Sequence, residues 1–156
     1  MKKKNERRLS ANMEDYLESI VFLKKNNGVA RVKDISLFMK VKKPSVTSAL
    51  NMLTQSGLVI HERYGYVDLT PEGEIVAQDV KKRHDMLIKF LDEVLGIDKK
   101  IATKDACRME HAISQQTHEK LTKLIEFVEG CSDGERPQWL KNFDYYSKTG
   151  KQREKS

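Results

Sequence analysis

The sequence predicts a mainly α-helical fold with one small β-hairpin, and three observations support that prediction. Hydrophobic residues make up 38% of the chain and charged residues 33%, with only 3 Pro and 8 Gly, which is typical of a helix-rich globular protein. Apolar residues recur every three or four positions along most of the 156 residues. Between Leu58 and Leu69 the apolar spacing shortens to two, which is the period of a β-strand.

Three helices are predicted before the hairpin. The first begins at a cap on Asn12 and ends at Gly28, the second lies within residues 31–40, and the third has Pro44 in its first turn and ends at Gly57. We expect their apolar stripes to be buried, and these comprise Met13, Leu17, Ile20, Val21 and Leu23, then Val32, Ile35, Phe38 and Met39, then Val46, Ala49, Leu50 and Leu53. The outward face of the third helix is polar.

The hairpin that follows has its tip at Arg63, Tyr64 and Gly65. Three helices followed by a hairpin are the element order of a winged helix-turn-helix, and this order is more specific than any single element. We therefore predict that residues 12–70 form one such module.

Helices continue after the hairpin. Thr70 caps and Pro71 opens a long helix that closes at Gly96, a further helix runs to about Ile113, and Ser114 caps the next. The apolar stripe of the long helix is Val76, Val80, Leu87, Leu91 and Val94. The stripe of the helix capped by Ser114 is Leu121, Leu124, Ile125 and Val128. The remaining segments are a basic, disordered N-terminus (1–11), a helical domain (71–130), and a loop, short helix and basic tail (131–156).

The net charge of +6 and the pI near 9.2 favour a polyanionic partner, although a solvated basic surface gives the same figures in unrelated proteins. No apolar run approaches the roughly 20 residues of a membrane helix, and the basic start is followed by charged residues rather than by a signal-peptide core. Two cysteines without an export signal argue against a disulfide framework. We expect a cytoplasmic protein with no membrane partner.

Two groups of metal-binding side chains occur at helical spacing, where residues three or four apart share a face. They are Asp15 with Glu18, and Cys107 with Glu110 and His111; His84 lies within the apolar stripe of the long helix. Such mixed O, N and S donors suit Mn, Fe, Co, Ni or Zn rather than Ca or Mg. Taken singly, the two carboxylates also suit a helix start, the imidazole a hydrogen-bonded core position, and the thiol a small buried hydrophobe.

Five segments occur in an order that is specific to one family: MEDYLESI, KKPSVTSALNML, YVDLTPEGE, KKRHDML and DACRMEHAIS. In this order they resemble the diphtheria-toxin-repressor family of metal-dependent regulators, over roughly residues 12–129. In length the chain is most similar to the manganese-transport-regulator branch, because no room remains for the SH3-like domain of the longer iron-type members.

The resemblance implies a homodimeric repressor that binds a double-stranded DNA operator, with Mn(II) or Fe(II) as corepressor, one or two ions per subunit and no organic cofactor. It places the metal between the DNA-binding module and the dimerisation helices of residues 71–130. The ligand positions of the family fall on Asp15, Glu18, His84, Cys107, Glu110 and His111.

Two ligand positions depart from any single branch. Asp15 is the manganese-type residue, whereas Cys107 is the iron-type residue, so the implied site is a hybrid. Ile88 and Thr103 stand where iron-type members have ligands of a second, ancillary site, which argues against such a site here. Glu18 favours the manganese-type arrangement.

The third helix is the expected recognition helix, since helix-turn-helix proteins place this element in the major groove. Lys42 and Lys43 suit phosphates, and Pro44 suits a thymine methyl group. Base edges or backbone are expected to be contacted by Ser45, Thr47, Ser48 and Asn51, and the flanking groove by Arg63 and Tyr64. An ordinary solvated helix surface is the competing interpretation.

Two other classes of function fit parts of the pattern. A winged-helix regulator that senses an organic ligand or thiol oxidation would use Cys107 as its reactive group. An enzyme is disfavoured, because Cys107, Glu110 and His111 share one helix face and cannot easily surround a substrate, and because the sequence has no Gly-rich phosphate loop or nucleophile elbow.

Overall fold

The computed structural model describes residues 9–62, 65–131 and 135–152. The predicted DNA contacts Arg63 and Tyr64 lie outside these residues. The chain divides into two compact units, Met1–Lys81 and Lys82–Ser156, which are considered in turn. Within the described residues, no helix is both long and apolar enough to cross a membrane. The domain limits drawn from the sequence stay a prediction.

The first unit has the predicted helix order and a sheet with one more strand than expected. Its elements are α1 (Ala11–Asn27), β1 (Ala30–Arg31), α2 (Val32–Met39), α3 (Lys43–Gln55), β2 (Val59–His61), β3 (Tyr66–Leu69) and the first part of α4 (Pro71–Lys89). The strands form an antiparallel sheet in the order β1-β3-β2. Ala30 pairs with Val67, and Val59 pairs with Leu69. The mainly helical winged helix-turn-helix prediction is confirmed, with β1 added to the predicted hairpin.

The ends of α1 show one correction to the sequence prediction. Ser10, rather than Asn12, is the N-cap, since its hydroxyl accepts a hydrogen bond from the backbone N–H of Met13 at 3.4 Å. The predicted stop is confirmed, because Gly28 adopts a left-handed conformation with φ of 77° and its N–H donates to the carbonyl of Lys24.

The core of the first unit contains most of the predicted stripes, including all four inward residues of α3. Val21 and Phe38 were expected inside but are 39% and 47% exposed. Instead of entering the core, the ring of Phe38 stacks on that of Phe22, with centroids 4.8 Å apart. Helical spacing identifies a face correctly but does not decide which residues at its edge the neighbouring elements cover.

Hydrogen bonds join the start of α4 tightly to the start of β2. The hydroxyl of Thr70 donates to the carbonyl of Gly57 at 2.7 Å, and the backbone N–H of Thr70 donates to the carbonyl of Leu58 at 3.1 Å. The same hydroxyl accepts from the N–H of Gly73 at 3.0 Å, which confirms Thr70 as the cap of α4. Gly73 is buried beneath this junction.

The second unit contains the end of α4, a π-helical turn (Phe90–Val94), α5 (Lys99–Met109), α6 (Gln115–Gly130) and α7 (Gln138–Thr149). Its buried core consists of Met86, Leu87, Leu91, Val94, Ala102, Ala106, Ile125 and Leu140. The helix expected to reach Ile113 ends at Met109, with Glu110 as its C-cap. Ser114 then caps α6 as predicted, because its hydroxyl accepts from the N–H of Thr117 at 3.2 Å.

Arg136 joins α7 to the π-helical turn. Its Nε and Nη2 donate to the two carboxylate oxygens of Asp144 at 2.6 and 2.7 Å, and Nη2 also donates to the carbonyl of Val94 at 3.0 Å. Nη1 donates to the carbonyl of Glu93. The side chain thus satisfies carbonyls at the end of the π-helical turn, and the hydrogen bonds from Arg136 hold the pKa of Asp144 below its ordinary value.

We expect Asp144→Asn to destabilise the second unit by about 1 kcal/mol at neutral pH, because a two-pronged charge-assisted pair is lost. Since the folded pKa of Asp144 is depressed, its contribution is present above the ordinary carboxyl pKa and disappears as the pH falls through the folded value. Urea unfolding followed by the fluorescence of Trp139, the single tryptophan, measures the effect.

The matched control is Glu135→Gln, since Glu135 pairs with Lys141 at 3.2 Å on the surface with its side chain 85% exposed. We expect no measurable change for this variant. A difference between Asp144→Asn and the parent protein that is the same at pH 7 and pH 3 would contradict the assignment.

Candidate metal ligands and DNA-binding surface

Two acidic side chains of α1 form the first group of candidate ligands. Asp15 and Glu18 are three residues apart and therefore project from neighbouring points of one helix face. Both are half-buried, while Tyr16, Leu17 and Ile20 anchor the helix in the core of the first unit. The helix thus fixes the two carboxylates on a rigid element.

Glu110 is the centre of the second group, and its side chain is fully buried. Its backbone N–H donates to the carbonyl of Ala106 at 2.9 Å, so the residue is held at the end of α5. Oε2 lies 2.5 Å from Nδ1 of His84, which comes from α4 and is 26 positions away in the sequence. The tertiary structure of the second unit therefore pairs a carboxylate and an imidazole that no local pattern could pair.

His111 completes this group at the turn after α5. Its Nε2 lies 3.2 Å from Oε1 of Glu110, and its side chain is 11% exposed. Within residues 9–62, 65–131 and 135–152, no group donates a hydrogen bond to Oε1 of Glu110. A buried carboxylate oxygen without a hydrogen bond is costly in a protein interior unless a cation neutralises it. One carboxylate between two imidazoles therefore fits a divalent transition metal.

Cys107 precedes Glu110 by one turn of α5 and is exposed. The alternative that this residue is a small buried hydrophobe is therefore wrong. The sequence placed Cys107, Glu110 and His111 together on one helix, whereas the structure brings His84, Glu110 and His111 together around the end of that helix. His84, for which a hydrogen-bonded core position was the alternative to a ligand, is half-buried and lies within hydrogen-bonding distance of the Glu110 carboxylate.

The predicted DNA-binding residues of the first unit share an exposed surface at the start of α3. The turn before α3 passes through Lys40, which has a left-handed backbone with φ of 56°. The seven predicted contacts that the structure describes are all exposed, namely Lys42, Lys43, Pro44, Ser45, Thr47, Ser48 and Asn51. Thr47 also donates to the carbonyl of Lys43 at 3.1 Å. Two cations and several short polar side chains therefore face solvent along one end of the helix.

Two family matches cover most of the chain. Residues 8–67 match the iron dependent repressor N-terminal DNA binding domain, and residues 70–138 match the iron dependent repressor metal binding and dimerisation domain. The chain belongs to the iron-dependent repressor family. This membership confirms the resemblance to the diphtheria-toxin-repressor group, and it makes the chain a metal-dependent, DNA-binding transcriptional regulator rather than an enzyme.

Relatives of similar length support this assignment. The chain is 33% identical over 121 residues to the HTH-type transcriptional regulator MntR of Lysinibacillus sphaericus, covering 78% of this chain and 86% of that protein. It is 32% identical over 130 residues to MntR of Bacillus subtilis, with coverages of 83% and 89%. An uncharacterised HTH-type regulator of Methanocaldococcus jannaschii is 34% identical over 119 residues, with coverages of 76% and 95%.

Solved structures of this family have the same fold. The crystal structure of T. acidophilum IdeR matches with a TM-score of 0.64 and 26% identity, covering 72% of this chain and 53% of that one. The manganese regulator SloR matches with a TM-score of 0.65 and 27% identity, covering 76% and 55%. The chain thus spans about half the length of these two longer regulators.

Proposed function

We propose that the chain is a homodimeric repressor of metal-ion homeostasis whose binding to operator DNA is activated by Mn(II) or Fe(II). The observation that supports this most directly is the buried carboxylate of Glu110. One of its oxygens accepts from His84, and the other accepts no hydrogen bond among the described residues. A buried carboxylate oxygen in this environment is suited to bind a metal ion.

The proposed ligands are Asp15, Glu18, His84, Cys107, Glu110 and His111. Three carboxylates favour Mn(II), and the thiol of Cys107 adds affinity for Fe(II). Glu18 gives the set enough oxygen donors for two neighbouring ions, so one or two ions per subunit are both consistent with it.

When bound, the divalent ion would supply positive charge that its carboxylate ligands can share. Glu110 and His84 already hold each other through one hydrogen bond, so little side-chain freedom is lost when they act as ligands. Asp15 and Glu18 are fixed on α1, the same helix that supports the DNA-binding core. By linkage, an ion that binds better to one arrangement of the reading helices shifts the protein toward that arrangement, and a coupling of about 1–3 kcal/mol is typical.

On DNA, α3 is proposed to enter the major groove with its N-terminal turn at the base edges. Lys42 and Lys43 would contact phosphates, while Ser48 and Asn51 would hydrogen-bond base edges. A homodimer would read two half-sites. Because the proposed partner is operator DNA, we propose a cytoplasmic location.

The function is tested by DNA affinity with and without metal. We expect Mn(II) or Fe(II) to raise the affinity of the anaerobically purified protein by roughly 5- to 150-fold, as the coupling above implies. The probe is a fluorescent duplex enriched from a random library by the manganese-loaded protein, and anisotropy is the readout. Full affinity after chelator treatment, lost on mild oxidation, would contradict the proposal and favour thiol sensing through Cys107.

A further inference from the structure

Arg31 and Tyr66 form a cationic pair on the surface of the first unit. The two residues are register partners in the β1–β3 ladder. The guanidinium carbon of Arg31 lies 4.8 Å from the centroid of the Tyr66 ring, and Nη2 donates to the phenol oxygen at 2.9 Å. Both side chains are exposed. The ring face and the hydroxyl together restrict a guanidinium that would otherwise move freely in solvent.

Among the residues that the structure describes, none neutralises the charge of this guanidinium. Within residues 9–62, 65–131 and 135–152, no carboxylate forms an ion pair with Arg31. By contrast, the nearby carboxylate of Asp68 on β3 is paired with Lys24 at 2.5 Å, which lowers the pKa of Asp68. An arginine has five N–H donors, and the hydrogen bond to Tyr66 uses one of them. Because Arg31 is exposed, the remaining donors are available to bind an anion.

The Arg31–Tyr66 pair lies next to α2 and the hairpin, two elements that face DNA in winged helix-turn-helix proteins. Arg31 is the residue directly before α2, and in helix-turn-helix proteins this helix crosses the DNA backbone. The following residue, Val32, donates its N–H to the carbonyl of Gly65 at 3.4 Å, at the edge of the hairpin tip. Lys33, in the first turn of α2, adds a second exposed cation.

We propose that Arg31 binds a DNA backbone phosphate and that Tyr66 holds its guanidinium in place for this contact. Planar guanidinium groups match phosphate oxygens in two-pronged hydrogen bonds, and an uncompensated, preoriented one loses little entropy on binding. Because phosphates carry no sequence information, the contact adds affinity and fixes orientation without reading bases. This inference rests on the DNA-binding part of the proposed function and extends it to a residue outside α3 and the hairpin tip.

The test is the salt dependence of DNA affinity for the metal-loaded dimer. Each phosphate contact steepens the plot of log K against log salt by about 0.9, so Arg31→Gln is expected to reduce its slope by about 1 for each contacting subunit. The affinity at fixed salt is expected to fall roughly 3- to 10-fold. The same slope change is expected on the enriched duplex and on a duplex of scrambled sequence.

The positioning role of Tyr66 is read from a double-mutant cycle. We expect Tyr66→Leu to weaken binding when Arg31 is present and to have no further effect in the Arg31→Gln background. Tyr66→Phe retains the ring and is expected to retain most of the affinity. Equal losses from Tyr66→Leu in both backgrounds would overturn its positioning role.

Lys120→Gln on α6 is the matched control, because it removes one exposed positive charge from the second unit. If Arg31→Gln reduces the slope of log K against log salt no more than Lys120→Gln does, the proposed phosphate contact of Arg31 is wrong. A parent protein that binds DNA without any response to metal would refute the metal-dependent function instead, while the slope comparison would still decide the role of Arg31. Thermal melting by circular dichroism verifies that each variant is folded.

Discussion

The Gly73→Ala variant is expected to lose at least about 3 kcal/mol of folding free energy, a large part of the 5–15 kcal/mol that stabilises a typical domain. A Cβ atom built on Gly73 would lie 1.9 Å from the carbonyl oxygen of Leu58 and 2.9 Å from its carbonyl carbon. Both atoms are backbone, so no side-chain rotation relieves the overlap. That carbonyl also accepts the hydrogen bond from Thr70, and its displacement would break the junction of β2 with α4.

Urea unfolding of the full chain, followed by circular dichroism, measures this loss. The matched control is Gly130→Ala at the end of α6, where no atom of the described residues lies within 4 Å of an added Cβ. We expect this variant to be neutral or more stable by up to about 1 kcal/mol, because alanine favours helix more than glycine does. If Gly73→Ala unfolded within 0.5 kcal/mol of the parent, the close approach of α4 to β2 would be wrong.

Periodicity predicted the helices well because most of their stability comes from one buried face. Val80 and Leu87 of α4, predicted as part of one stripe, are fully buried. The strand β1 was missed, since two residues cannot show a period. As a result Arg31 was not placed beside Tyr66, although a basic residue before α2 was visible in the sequence.

The end of α5 shows a different limit of sequence reasoning. The apolar Ile113 continued the helical pattern, yet the helix ends at Met109. The N-cap of α6 requires extended backbone at Ser114, which has φ of −74° and ψ of 159°, so the chain has to leave the helical conformation first. A helix cap can end the preceding helix before the apolar pattern ends, and the cap at Ser114 does so here.

For the candidate ligands, the sequence predicted the groups within one helix but not the contacts between helices. Helical spacing was sufficient to group Asp15 with Glu18 on α1. It could not pair His84 with Glu110, because that contact depends on how α4 packs near the end of α5. Only the family resemblance linked them in the sequence, and the second unit confirms their proximity.

Glu110→Gln is expected to abolish the activation of DNA binding by metal, which lowers the affinity of the metal-treated protein by roughly 5- to 150-fold. Glutamine has the shape of glutamate but carries no negative charge, so the variant replaces an anionic ligand by a weaker neutral one without opening a cavity. The side chain is fully buried, and the amide oxygen of glutamine can still accept the hydrogen bond from His84, so we expect the metal-free variant to stay folded. Anisotropy titrations with and without Mn(II) measure the change, and sedimentation verifies the oligomeric state.

Glu119→Gln on α6 provides the control, because this exposed carboxylate of the same unit contacts only Gln115 at 3.2 Å among the described residues. We expect the control to respond to Mn(II) like the parent protein. His111→Ala should behave like Glu110→Gln, since its Nε2 faces the second oxygen of the same carboxylate. A Glu110→Gln variant that kept the full response to manganese would remove Glu110 from the ligand set. A bound cation would then no longer explain why Oε1 of Glu110 accepts no hydrogen bond from the part of the chain that the structure describes.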